Sequence, residues 1–301
     1  MRRRARSPLP QRHGLDAARL RMPTEGPWPT LREHLVERLH RVAPERIDAM
    51  LRAGAIVTAD GPLTLDAPFV PGSLIWFHRD LPDEVVVPFD IPVLHRDDRL
   101  LVVDKPHFLA TIPRGRHIRQ TALVRLRREL DLPTLSPAHR LDRATAGVLM
   151  FVIAPEHRGA YQNLFRDRRV RKTYLALAGF DPELELPCTV RSRIVKERGV
   201  VCAQEVPGPV NAETYVELLE RRGGHARYRL APHTGRTHQL RLHLASLGIP
   251  IVNDDLYPEP TERPLDEFTA PLQLLAASLE FTDPVTGEHR RFDSHRELAT
   301  C

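Results

Sequence analysis

Lysine is almost missing from this chain. Its 301 residues hold Lys105, Lys172 and Lys196 and no others, although basic residues total 44. Arginine carries the positive charge, and a compositional bias toward arginine accounts for that count without any function. Cysteine is also scarce. Cys188, Cys202 and Cys301 are scattered, odd in number and without a CxxC pair. That argues against a disulfide frame or a cysteine zinc site, and for a reducing cytoplasm. No apolar run approaches the roughly 20 residues of a membrane helix. The longest, Gly147 to Ala154, reads as a buried strand. The arginine-rich start has no apolar h-region, so a secretory signal is not expected. An HExxH zinc arrangement is lacking too: His238 and His243 are five apart with no acidic residue between. They read as packing or RNA-contacting residues, and no metal is expected. No internal repeat appears at a fixed period.

What is present bounds the rest. The length permits one large domain, or a large one with a small one attached, and 42% apolar residues are enough for a real core. The net charge of +5 sits at the start: residues 1–22 hold seven Arg and one Asp, leaving 37 basic against 38 acidic residues elsewhere. Residues 1–22 show no apolar periodicity and are expected to form a basic, disordered tail of a kind that suits nucleic acid. Residues 23–79 read as a small unit. Thr30 is a candidate N-cap for a helix to about Leu39, a second helix runs from Pro44 to about Leu51, and short strands follow at 55–58 and 73–77. This helix–helix–β order resembles a small RNA-binding domain first named from a ribosomal protein. Arg41, Arg46 and Arg52 suit RNA, while Glu33, Glu37, Glu45 and Asp48 dilute the surface. The polar stretch DLPDE, 80–84, is a linker. Residues 86–301 mix strands and helices in an irregular order, which points to an α+β fold rather than a doubly wound sheet.

Four stretches carry chemistry. "PAHRLDRATAGVLMF", from Pro137 to Phe151, puts Asp142 after a basic pair and before a turn that opens into an apolar strand. Such an Asp is either an Asx-turn residue or a reactive carboxylate on a rigid platform. "HTGRTHQLRLHLASLGIPIVNDDLY", 233–257, predicts a helix capped by Thr234 and ending at Gly248, with Arg236, Leu240, Leu244 and Leu247 on one stripe. An inward arginine needs a carboxylate or a phosphate, and Asp142 is a candidate; alternatively Arg236 snorkels to water. "RDRRVRKTYLALAGF", 166–180, leads a basic cluster that includes Lys172 into a strand carrying Tyr174. That arrangement suits phosphate contact with base stacking, or is a solvated charge run before an ordinary strand tyrosine. "DRLLVVDKP" ends a strand at Lys105.

Together, "DRLLVVDKP", "HRLDRATAG", "RKTYLALAG", "TGRTHQLRLHL", "GIPIVNDDLY" and the late "LLAASLEF" resemble the RluA-type pseudouridine synthases over about 90–290. The resemblance implies a mixed, largely antiparallel sheet flanked by helices and isomerisation of a specific uridine in structured RNA without a cofactor. Cytoplasmic ribosomal or transfer RNA is the expected partner, and a monomer is expected. It implies that Asp142 is the catalytic aspartate, that Tyr174 packs on the target uracil, that Arg236 pairs with Asp142, and that Leu240 helps form the uracil pocket. Arg140, His139, Lys172 and Thr145 are then expected to contact substrate, with Arg140 placed to fill the stack that the flipped base vacates. Two departures stand out: Ala146 replaces a common Ser, and Asn253 stands where Gly is usual. Two other classes remain open. One is a non-catalytic RNA-binding or ribosome-assembly protein. The other is an Asp-nucleophile hydrolase, for which Asp254 or Asp255 would have to supply a second carboxylate.

Overall fold

A computed structural model describes residues 7–81 and 83–299, and two compact units divide the chain, Met1–Asp83 and Glu84–Cys301. The first unit is built from β1 (Ala18–Arg21), α1 (Leu31–Arg38), α2 (Pro44–Arg52), β2 (Ile56–Thr58), β3 (Gly61–Pro62) and β4 (Leu74–Phe77). Thr30 caps α1 by accepting from the Glu33 amide at 3.3 Å, and Pro44 opens α2 at a position where its missing N–H costs nothing. Leu31 and Leu35 from α1, Ile47 and Leu51 from α2, and Ile56 and Ile75 from the sheet close one small core.

The disordered tail expected over 1–22 is corrected here. Residues 1–6 lie outside the described residues, but Ala18–Arg21 pairs antiparallel with Leu74–Phe77, and Met22 is 1% exposed. The reason is a period of two. Ala18 and Leu20 turn toward the core while Arg19 and Arg21 face water. Once a neighbouring strand supplies the backbone partners, so short an alternation suffices.

The second unit holds β5 (Val93–Arg96), β6 (Leu100–Lys105), α3 (Ala122–Glu129), β7 (Ser136–Pro137), β8 (Ala146–Val152), α4 (Arg158–Arg166), β9 (Arg171–Gly179), β10 (Cys188–Ser192), β11 (Ile194–Val195), β12 (Gln204–Glu205), β13 (Ala212–Arg222), β14 (His225–Pro232), α5 (Gln239–Ser246), β15 (Leu274–Thr282) and β16 (His289–Asp293). Among the described residues β11 and β12 pair with each other, and the other ten strands form one sheet whose main path runs β10-β13-β14-β9-β15-β8-β6-β5. Only the β15–β8 pairing is parallel. The α+β class and the mixed, largely antiparallel sheet expected from the sequence are therefore what the chain adopts. Every residue of β8 is buried, as its unbroken apolar run requires of a strand covered on both faces.

Gly147 in β8 is where the chain is least tolerant. Its φ is +111°, and a Cβ there would stand 2.2 Å from the Ala276 carbonyl oxygen of β15. Gly147→Ala is expected to cost on the order of 3 kcal/mol, from strain and overpacking together. A urea midpoint equal to that of the unsubstituted chain would show that β15 yields freely.

Candidate active site

The turn from Leu141 to Thr145 enters β8 at its buried N-terminal end and is pinned from three sides. Thr111 donates its hydroxyl to the Leu141 carbonyl at 2.7 Å and accepts from the Leu141 amide at 3.1 Å. His107 Nδ1 meets the Ala144 carbonyl at 2.7 Å. Lys105 Nζ, wholly buried, donates to the carbonyls of Pro106, Leu109 and Arg143. The Thr145 amide closes the turn onto the Asp142 carbonyl. These bonds hold the backbone. The Asp142 carboxylate itself makes no hydrogen bond or ion pair with the described residues, so it is not an Asx-turn group bonding its own loop.

That carboxylate lines a cleft of about 690 Å³ in the second unit. Seven arginines and Lys172 line it with Asp142 as the one acidic residue, a balance that favours a polyanion. Its charge is felt by four neighbours. Burial lowers the Lys105 pKa to about 7, and Asp142 opposes the drop. Burial raises that of Tyr174, and Asp142 raises it further. Burial lowers His238, again with Asp142 opposing. Burial works against the charge of Arg241, yet Asp254, Asp142 and Asp255 together raise its pKa.

Arg241 is the residue that sequence reasoning missed, and Arg236 is the one it misplaced. The helix expected to start beside Thr234 starts at Gln239, after His238 in a left-handed conformation at φ +58°. The Thr234 hydroxyl instead donates to the Gln239 side-chain oxygen at 2.7 Å, and the Gln239 amide group donates to the Glu213 carbonyl and Thr214 hydroxyl. Arg236 therefore sits in the loop before α5, where its Nε donates to the Asn211 carbonyl at 3.1 Å, and it makes no ion pair with Asp142. Arg241 is 3% exposed. It holds Asp254 through Nε at 2.7 Å and through Nη2, and Nη2 also donates to Asp255 at 2.7 Å. Those two carboxylates are thus committed to an arginine. Asn253, at φ +62°, stands in the backbone region that Gly adopts freely and Asn tolerates, which accounts for the departure there.

The other expected site residues lie as follows. Tyr174 on β9, Leu240 on α5, buried Thr145 and exposed Arg140 all line the cleft. Lys172 lines it while donating to the Thr234 carbonyl at 2.9 Å, and burial with the nearby Arg168 lowers its pKa to about 8. His139 edges the cleft, but its ring stacks on Phe165 at 4.4 Å and accepts from the Met150 amide at 3.2 Å, a packing role. His243 is also packing, between Ser192 and Thr214. No cluster of His, Cys, Asp and Glu that would hold a metal occurs among the described residues, and no helix among them is long and apolar enough to cross a membrane.

Three rings, His243 buried and His107 and His139 partly so, set an acid limit. Burial lowers the pKa of His107 and His243 to about 4 and, with Lys172 nearby, that of His139 to about 3. The unfolded chain binds these protons near pH 6.5 and the folded chain does not. Stability is therefore complete above 6.5 and declines toward pH 4. Urea midpoints that stay level across that window would contradict the neutral, buried assignment.

Comparison with known proteins identifies the family. The family described as RNA pseudouridylate synthase matches residues 99–246. Pseudouridylate synthase RPUSD2 of Mus musculus is 36% identical over 181 residues, 60% of this chain; the match spans 32%, about a third, of that protein's length. The dual-specificity RNA pseudouridine synthase RluA of Yersinia pestis is 33% identical over 214 residues, 68% of this chain and 99% of that protein. The RluA of Escherichia coli K12 is 34% identical over 209 residues, 66% and 90% respectively. Among solved structures, human RNA pseudouridylate synthase domain containing 4 superposes with a TM-score of 0.53 at 25% identity, covering 69% of this chain and 88% of that one.

Proposed function

Because the chain belongs to the RluA-type pseudouridine synthases, we propose that it isomerises a uridine in structured RNA to pseudouridine, with Asp142 as the catalytic group. The observation that carries this reading is the unengaged Asp142 carboxylate on a pinned turn inside an otherwise cationic cleft. A structural aspartate in such a place would be taken by one of the arginines around it.

The reaction breaks the bond between N1 of uracil and C1′ of ribose and makes one between C5 and C1′. A proton leaves C5 and one is gained at N1, so nothing is oxidised, added or lost, and no cofactor is required. Asp142 acts at the ribose, either by attack on C1′, which divides one hard step into two through a covalent intermediate, or by taking a sugar proton. Both need an ionised, accessible carboxylate. Arg241, locked on Asp254, lines the same cleft as Asp142. Tyr174 and Leu240 offer an apolar bed for a flipped ring. Arg140, exposed at the cleft, is placed to fill the vacated stack, and Lys172 and Arg236 to meet flanking phosphates. The hydrolase alternative lacks a second free carboxylate, since Asp254 and Asp255 both hold Arg241.

The small unit at 23–79 is proposed to extend the RNA footprint, which favours ribosomal over transfer RNA. The chain is proposed to act as a monomer in the cytoplasm, in keeping with Cys188 and Cys202 as free thiols. Flipping costs least where the uridine is unpaired, and bases are readable mainly in loops. Incubation with a stem-loop RNA is expected to yield pseudouridine, and incubation with UMP none. Efficient conversion of UMP would overturn the RNA reading, and modification of transfer RNA alone would overturn the ribosomal preference.

A further inference from the structure

His238 lines the cleft with Asp142 and is half-buried there. It stands just before α5 with φ at +58°, a conformation that few residues with a side chain adopt, and such outliers gather where a group has to be aimed. The aim comes from Tyr257, whose hydroxyl lies 3.0 Å from His238 Nδ1. That hydroxyl also accepts from the Ala203 amide at 2.7 Å and donates to the Ala203 carbonyl at 3.0 Å. Burial pushes its pKa up to about 12, so it keeps its hydrogen. With that one hydrogen given to Ala203, the hydroxyl can only accept from the ring, and the proton of the neutral imidazole sits on Nδ1. Nε2 is then a bare acceptor, and it makes no hydrogen bond with the described residues.

The ring is neutral and held. Burial lowers its pKa, with Arg241 and Lys196 acting the same way and Asp142 and Asp254 opposing. Tyr257 is 5% exposed, and its amide and that of Leu256 donate to Asp254 at 3.0 and 2.8 Å. Asp254 is in turn the carboxylate that Arg241 grips. A free acceptor is uncommon among the side chains of this cleft. Asn211 accepts from the Ile194 amide at 2.9 Å, Gln239 from the Thr234 hydroxyl at 2.7 Å and the Arg236 amide at 3.0 Å, and His139 from the Met150 amide at 3.2 Å. The arginines and Lys172 only donate. They suit phosphates and carbonyls, whereas a donor on the substrate needs an acceptor on the protein.

A uridine within an RNA chain has two donors, the ribose 2′-hydroxyl and the uracil N3–H. The hydroxyl sits on C2′, the neighbour of the C1′ at which Asp142 acts. N3 lies on the far side of the ring that Tyr174 and Leu240 bed. We propose that His238 Nε2 accepts a hydrogen bond from the 2′-hydroxyl of the reacting nucleotide, and so selects ribose over deoxyribose. This rests on the RNA reading of the cleft and deepens it. The 2′-hydroxyl is the group by which a protein tells RNA from DNA at a given position. Tyr257 is a positioning residue that fixes the tautomer of the ring.

The test is binding, measured by fluorescence anisotropy, of a stem-loop RNA with a single uridine in its loop. All proteins carry Asp142→Asn, so that turnover does not enter. That one nucleotide is supplied as uridine, 2′-deoxyuridine, 2′-fluoro-2′-deoxyuridine or N3-methyluridine. The fluoro sugar keeps the pucker of ribose but cannot donate. With His238 intact, the uridine RNA is expected to bind about tenfold tighter than the deoxy and fluoro RNAs. His238→Asn tolerates the same φ but is too short to place an acceptor where Nε2 stands, and it should erase that preference. His238→Gln, long enough to reach, should keep part of it. No ribose preference with His238 intact, or a preference that survives in His238→Asn, would overturn the assignment. Discrimination against the N3-methyl RNA alone would overturn it in favour of a base contact. Should His238→Asn fail to fold, the imidazole nitrogen spectrum of the protein with His238 decides. Nε2 is expected to read as a bare acceptor and to shift with the uridine RNA but not with the deoxy RNA, and a protonated Nε2 would overturn the contact. With Asp142 restored, ribose preference without pseudouridine would sink the proposed activity and leave the contact standing. Pseudouridine formation without the preference would do the reverse.

Discussion

Asp142→Asn is expected to abolish pseudouridine formation, by roughly four orders of magnitude or more, while the protein stays folded and binds RNA within a few-fold of its parent. The turn around Asp142 is held by Thr111, His107 and Lys105 through backbone atoms. Its carboxylate stabilises no hydrogen bond that the amide would lose. RNA affinity is expected to be spread over several of the cationic side chains that line the cleft. Fold and affinity should therefore survive the change, and only the chemistry should fail. Turnover near the parent rate, by purified protein free of any endogenous synthase, would remove Asp142 from the mechanism.

The second large effect belongs to Arg241. It is 3% exposed and Asp254 is 1% exposed, so Arg241→Met would leave a carboxylate uncompensated in the interior. That is expected to cost about 3–5 kcal/mol. Arg241→Lys is the more informative change. It retains a positive charge but cannot reach Asp254 with two donors and Asp255 with one of the same pair. The lysine variant is expected to fold, with its thermal midpoint lowered, and to lose about a hundredfold in kcat/KM through misplacement of the α5 side of the cleft. A lysine variant with full activity would show that Arg241 acts on the fold alone.

Several residues of the cleft were singled out in the sequence. Asp142 stood out because a polar turn runs straight into a strand with no polar residue, buried along its whole length, which left an Asx turn and a reactive carboxylate both open until the resemblance favoured the second. Tyr174, Leu240, Lys172 and Arg140 reach the same cleft because β9, α5 and the turn before β8 converge there. Arg241 was not legible. The stripe Arg236, Leu240, Leu244 assumed a helix beginning near Thr234, whereas Gln239 and Thr234 spend their side chains on β13 and the helix starts later. Five of the eight residues of α5 are buried, among them Gln239, Arg241 and His243. A helix enclosed on most sides shows little amphipathic period, so polarity at Arg241 gave no hint of its direction. The strand at 18–21 escaped for a related reason: summing charge over residues 1–22 conceals an alternation of apolar and basic side chains that only four residues express.

The central claim is isomerisation at Asp142, and the most direct measurement is a product balance. Purified protein is incubated with an unmodified stem-loop RNA, the RNA is digested to nucleosides, and uridine, pseudouridine and free uracil are quantified together. Pseudouridine is expected to appear mole for mole with the uridine lost, with no free uracil, and to vanish in Asp142→Asn. Release of free uracil would contradict the claim and identify a hydrolase, and a digest with no change in uridine would contradict any action of this chain on that RNA.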